Sequence, residues 1–322
     1  MSVMDELKAQ IARRLPDLDL VIGWGRGYDA LHRTPVFLKD AKELDQLVFD
    51  PLCVHNLATY LTRFGKGKRV GVVVKGCDSR SVVQLLQEKL ISREHVTIFG
   101  LPCEGVADLG RVNRALASRG LVMGKAREAA FTAQGLELAF KGRSETLPLA
   151  EVMAAKCGRC AYHDAVLFDE FAGQPVGRKD PDNHDDLAAF EALTLEERME
   201  FWREQMERCT RCYACRNACP LCVCRDQCIG QSREPGWVSQ RSGLEEKFFF
   251  QMIHATHLAG RCTECGECER ACPVDIPLML LKRKLGKEIV ELFNYRAGTD
   301  VESRPPLLAF KVEEDTINER GW

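Results

Sequence analysis

The sequence has no long apolar run. Nowhere do about eighteen apolar residues follow one another, so nothing in it reads as a membrane-spanning helix. The first residues do not read as a secretory leader either: MSVMDELKAQIARRLPDLDL alternates charged and apolar side chains at helical spacing, without the uninterrupted apolar stretch of a signal peptide. Charge of either sign is not in excess. The 45 Lys and Arg against 47 Asp and Glu leave a formal charge of −2, with no broad basic footprint for nucleic acid. There is no P-loop, nucleophile elbow or paired-carboxylate motif. These absences predict a cytoplasmic protein without a nucleic-acid partner or a direct membrane span.

Cysteine is what the chain has in abundance, 16 in 322 residues. A secreted disulfide scaffold is short and carries a leader, so in a chain of this length clustered thiols point to metal. Their distribution is uneven. Cys53, Cys77, Cys103, Cys157 and Cys160 are scattered, and the rest crowd between Cys209 and Cys272. That shift implies an α/β N-terminal domain over 1–178, an α-helical domain over 194–292, and a C-terminal tail over 293–322 that docks on a partner.

In the first domain, Arg69 to Val74 is a short β-branched run that suits a buried strand. Lys75-Gly76-Cys77-Asp78 is expected to turn the chain, with Ser79 capping a helix to about Leu90. A second strand, Val96 to Phe99, runs into Gly100-Leu101-Pro102-Cys103. Strand, helix and strand in this order make a parallel βαβ unit. Cys77 and Cys103 then lie past strand C-termini, where open α/β sheets place their sites. Residues 128–149 read as a β-hairpin. Gly23-Trp24-Gly25-Arg26-Gly27 reads as an ordinary glycine turn, with a phosphate-binding turn as the sharper alternative. Residues 173–193 read as a linker. Thr194 with Glu197 forms a capping box, and Leu244 to Leu258 and Leu278 to Phe293 are helices, the last basic and amphipathic.

Two complete motifs occupy the second domain: Cys209-x2-Cys212-x2-Cys215-x3-Cys219-Pro220 and Cys262-x2-Cys265-x2-Cys268-x3-Cys272-Pro273. This is the spacing of two-cluster bacterial ferredoxins, in which the fourth cysteine ligates the other cluster. The expected sets are Cys209, Cys212, Cys215 and Cys272 for one [4Fe–4S] cluster and Cys262, Cys265, Cys268 and Cys219 for the other. Zinc would need only two C-x2-C pairs. The 42 residues between the motifs exceed the insert of compact ferredoxins. The domain therefore resembles the α-helical ferredoxins of succinate dehydrogenase and heterodisulfide reductase subunits.

Cys77, Cys103, Cys157 and Cys160 make a further set of four, suited to a third [4Fe–4S] cluster. The plainer alternative is two core cysteines and a zinc half-site. Cys222, Cys224 and Cys228, spaced C-x-C-x3-C, match no ferredoxin motif. With Cys53 they would complete a fourth set, for a cluster or zinc; buried free thiols are the alternative. His254 and His257, three apart on a helix face, read as satisfied helix histidines.

The segments KGCDSRSVVQLLQE, GLPCEG and KCGRCAYHDAVLFDEFAGQPVG resemble the beta subunits of deazaflavin-dependent hydrogenases and dehydrogenases. That resemblance, over roughly residues 65–180, implies an iron–sulfur cluster, often FAD, and redox exchange with a deazaflavin. The combined expectation is an iron–sulfur electron-transfer subunit of an anaerobic complex with other redox subunits. That complex is hydrogenase, formate dehydrogenase or heterodisulfide-reductase-like. The alternatives are a flavin-containing reductase acting on a deazaflavin or nicotinamide, and a cluster-based redox sensor.

Overall fold

The computed structural model describes residues 2–180, 182–224, 228–232, 239 and 241–309. Helix α1 (Val3–Arg14) opens on a capping box between Ser2 and Asp5. Strand β1 (Leu20–Arg26) pairs antiparallel with β2 (Arg33–Leu38) and parallel with β3 (Val70–Val74). The glycine turn expected at Gly23–Gly27 is instead mostly strand. Its glycines are there for packing: a Cβ on Gly23 would lie 2.3 Å from Leu47 Cδ2, and one on Gly25 2.5 Å from Val36 Cγ1.

The Val70–Val74 run is buried on both faces, as a central parallel strand requires. Each valine so buried contributes on the order of 1.5–3 kcal/mol. Helix α2 (Gly76–Gln87) follows at once and leads to β4 (Val96–Gly100), parallel to β3. The helix begins three residues before the expected Ser79 cap. Lys75 is its N-cap residue, and the Asp78 carboxylate accepts from the Lys75 N–H at 3.3 Å. Ser79 is used inside the first turn: its hydroxyl donates to Gly76 O at 2.8 Å and accepts from Val166 N at 2.9 Å. Cys77 therefore sits on the helix's first turn.

Helix α3 (Leu109–Ser118) packs on a three-stranded antiparallel meander, β5 (Glu128–Thr132), β6 (Gly135–Phe140) and β7 (Arg143–Leu147). The expected hairpin thus gains a third strand. Val112, Leu116, Leu136, Leu138 and Leu147 form its own small core. A short β8 (Glu170–Phe171) completes the main sheet in the order β2-β1-β3-β4-β8.

The region 173–193, expected as a linker, contains helix α4 (Asp185–Glu191). Asp182 and Asp186 both pair with Arg283, which pins this stretch to the helical domain. There α5 (Leu195–Arg208) starts from the Thr194–Glu197 capping box, and α6 (Leu244–Thr256) and α7 (Leu278–Phe293) follow. The cysteine loops lie between these helices. Helix α7 is basic, yet its basic face is not all solvated: Lys282 and Arg283 are buried.

Helix α2 is the seam of the molecule. One side packs on the sheet. The other carries buried polar groups answered by the helical domain: Ser81 Oγ lies 2.8 Å from Thr263 Oγ1, and Glu88 pairs with Arg261 at 2.5 Å. Leu221 and Leu258 join the same apolar core as the sheet. The chain beyond α7 returns to α2, where Tyr295 OH donates to Gln84 at 3.1 Å and Arg80 donates to Ala297 O at 2.8 Å. The first part of the expected docking tail is thus seated on its own chain. Leu307 and Leu308 stay exposed, and Phe310 and Trp322 lie outside the described residues.

Candidate metal centres

The two cysteine motifs share one backbone design. Arg211 and Glu264, each just before the second cysteine, have φ of 51° and 59°. Tyr213 and Gly266, each just after it, have φ of 60° and 70°. Left-handed residues on both sides of a cysteine are the kind of backbone from which nests, concavities of successive N–H groups that suit an anionic iron–sulfur body, are built. Three of these residues carry a Cβ and hold a conformation that costs of order 1–2 kcal/mol. A short helix then carries the third cysteine of each motif: Ala214–Ala218 holds Cys215 and Glu267–Arg270 holds Cys268.

Cys209, Cys212, Cys215 and Cys272 line one small cavity of about 20 Å³, with Tyr213 and Phe250 in its wall. This is the first expected set. Burial pushes the Cys215 thiol up to about 12. Such a thiol gives up its proton when a metal takes the proton's place.

Cys262, Cys268 and Cys219 face the buried ammonium of Lys282, and Cys265 neighbours Cys219 and Cys262. Burial alone would lower that ammonium, but the charges of Cys268, Cys219 and Cys262 raise it overall. Lys282 Nζ also lies 3.1 Å from His254 Nε2. Cys219 is held well below the ordinary thiol value, first by hydrogen bonding from Cys222 and then from His254. Hydrogen bonds and positive charge at a sulfur ligand favour the reduced, more negative state. Lys282→Met should lower the potential of the centre built on Cys262 by on the order of 100 mV, from one unit charge at an effective dielectric near 20. A redox titration followed by electron paramagnetic resonance checks this.

The N-terminal cysteines also meet. Cys77, Cys103, Cys157 and Cys160 line one cavity of about 60 Å³. Cys77 comes from the first turn of α2, Cys103 from the end of β4, and the other two from the turn at Ala155–Cys160. Main-chain bonds fix the set: Val106 N donates to Cys157 Sγ at 3.3 Å, and Cys103 N donates to His163 O at 3.0 Å. The His163 ring bridges Cys103 O at 2.7 Å and Cys160 O at 3.1 Å. Burial raises Cys103 to about 11 and Cys77 well above its ordinary value.

Lys75 stands beneath this site, fully buried and fully partnered. It pairs with Asp78 at 2.8 Å, donates to Cys53 O at 2.9 Å, and lies 3.9 Å from the Trp24 ring centroid. Lys75, Lys156 and His163 are the residues that sequence reasoning missed. The available signal was a lysine just upstream of the cysteine in KGC and AKC.

Among the described residues, no three His, Cys, Asp or Glu side chains converge tightly enough for a single metal ion.

Cys222, Cys224 and Cys228 line a larger cavity of about 480 Å³, together with His254 and His257. Cys53 is not among its walls. It is buried in the core of the sheet domain, 3.6 Å from Val48 O, and burial raises its thiol to about 12. The structure therefore does not assemble the expected fourth set.

A cavity of about 610 Å³ opens between the domains. Tyr28 stacks on His32 with ring centroids 4.4 Å apart, and the charged lining is mixed: Arg33, Arg114 and Arg270 pair with Asp50, Asp275 and Glu267, and Asp108 and Glu269 stand among the walls. Lys156 belongs to the walls of both this cavity and the N-terminal cysteine cavity.

Taken together, the molecule is an α/β sheet domain fused to a helical, two-motif ferredoxin-type domain. Residues 205–276 match the 4Fe-4S dicluster domain family. The chain is 24% identical to the F420-dependent formate dehydrogenase subunit beta of Methanocaldococcus jannaschii, over 92% of this chain and 90% of that protein. It is 23% identical to the F420-dependent formate dehydrogenase 1 subunit beta of Methanococcus maripaludis, over 90% and 89%. A chain of the F420-reducing [NiFe] hydrogenase complex from Methanosarcina barkeri aligns over 50% of this chain and 62% of its own length, at 16% identity and a TM-score of 0.39.

Proposed function

We propose that this chain is the iron–sulfur electron-transfer subunit of a multi-subunit oxidoreductase complex of the formate dehydrogenase or hydrogenase kind. It relays single electrons between partner redox subunits. The observation that carries the reading is that two sets of four cysteines each line one cavity, one in the sheet domain and one in the region that matches the dicluster family, which also holds the second complete motif. The ligands are Cys209, Cys212, Cys215 and Cys272; Cys262, Cys265, Cys268 and Cys219; and Cys77, Cys103, Cys157 and Cys160. A [4Fe–4S] cluster takes up and releases one electron with little change of shape. The protein's part is to hold the thiolates, exclude water and set the local charge. Lys75, Lys156 and Lys282 do the last of these, each beside at least one set. No helix among the described residues is long and apolar enough to cross a membrane, and we place the complex in the cytoplasm.

A second reading has an observation of its own. The interdomain cavity of about 610 Å³ lies in the size range of cofactor pockets. The stacked Tyr28 and His32 rings in its wall suit a flavin ring, which supports a flavin-containing reductase acting on a deazaflavin or nicotinamide.

Anaerobically purified protein assayed for iron, sulfide, zinc and flavin tests both readings. About twelve irons per chain is the expected result, at four per cubane. About eight would remove the sheet-domain cluster, and about sixteen would bring in Cys222, Cys224 and Cys228. Stoichiometric flavin would move the assignment to the reductase.

A further inference from the structure

Lys156 is placed between two of the cysteine sets. In sequence it precedes Cys157, and its side chain helps to wall the N-terminal cysteine cavity. In space it crosses to the other domain, where Nζ donates to Cys265 O at 2.5 Å. The receiving loop is shaped around it. Gly266 has φ +70°, and a Cβ there would lie 2.8 Å from Lys156 Cδ. Its charged neighbours are Cys77 and Cys157 on one side and Glu267 and Cys265 on the other. Glu267 is already committed to Arg270, at 2.8 Å. Among the described residues Lys156 forms no ion pair of its own.

We propose that Lys156 is a shared counter-charge that sets the reduction potentials of both the sheet-domain centre and the adjoining Cys262/Cys265/Cys268/Cys219 centre. This rests on the reading that Cys77, Cys103, Cys157 and Cys160 hold a cluster. An electron added at either site increases negative charge, and the ammonium stabilises that charge through a partly buried, low-dielectric path. The third set, Cys209, Cys212, Cys215 and Cys272, has no such contact with Lys156. Lys156 is thus a positioning residue in the electrical sense: it touches the loops that hold the redox groups and biases both.

The test is a dithionite titration of the whole iron-loaded chain, each centre followed by its electron paramagnetic resonance signal. Iron is counted first. A wild-type count near eight overturns the sheet-domain cluster and the proposal with it. At a count near twelve, Lys156→Met should shift two midpoints to more negative values and the third by much less, while Lys156→Arg restores both. If Lys156→Met does not accumulate as folded protein, Lys156→Gln, which keeps a donor for Cys265 O but no charge, takes its place. Unmoved midpoints, or three that move equally, overturn the proposal and leave the cluster assignment standing. So does failure of Lys156→Arg to restore them.

Discussion

Cys215→Ala should remove about four of twelve irons and stop electron flow through the chain. Cys215 is buried in the cluster that holds Phe250, Ile276, Leu278 and Met279, and an alanine there supplies no ligand in place of its sulfur. Metal binding here is also folding energy, because the loops around the site hold left-handed residues that bare chain would avoid. The variant should therefore lose stability along with one resonance signal, while the sheet-domain set keeps its iron. Full iron content with an undiminished electron-transfer rate would show that Cys215 is not a ligand.

Gly76→Ala should dismantle the sheet-domain site without touching any cysteine. A Cβ at this position would lie 1.9 Å from Tyr162 O and 2.9 Å from Asp164 O, both backbone atoms of the segment that follows Cys160. Backbone cannot swing aside as a side-chain tip can. The helix start or the 160–164 segment must shift, at a cost of roughly 3 kcal/mol or more. Either movement separates Cys77 from Cys160. Iron should fall from about twelve to about eight per chain, and the melting temperature should drop. Gly158→Ala is the matched control: it lies between Cys157 and Cys160 with nothing within 4 Å of its added methyl, and should leave both values unchanged. Iron analysis and thermal unfolding of the two variants side by side decide the matter.

The parts of this molecule written locally were legible in its sequence. The Val70–Val74 strand, the Thr194 cap, the bounds of α7 and the spacing of the two motifs all follow from neighbours along the chain. So did the grouping of Cys77 and Cys103 with Cys157 and Cys160, because strand ends and a lone C-x2-C pair left few other partners. What stayed hidden depends on contacts far apart in sequence. The glycines at 23 and 25 looked like a turn, since nothing nearby announces that Leu47 and Val36 will lean on them. Lys282 and Arg283 lie in a helix that read only as basic and amphipathic. They are buried because Asp182 and Asp186 arrive from one side and the cysteine loops from another. Cys53 looked available for a fourth set, yet the 50–54 turn folds it into the core.

The seam along α2 bears on how such a chain can change over generations. A ferredoxin domain is often imagined as a module that recombination can lift from one protein and splice into another. Here the splice at 173–193 would part Ser81, Arg80 and Gln84 from Thr263, Ala297 and Tyr295, and break hydrogen bonds that a new partner would have to replace. Glu88 and Arg261 would each lose their ion-pair partner. The two halves are thus committed to each other. A helical domain grafted in place of this one would have to bring its own partners for Ser81, Arg80, Gln84 and Glu88.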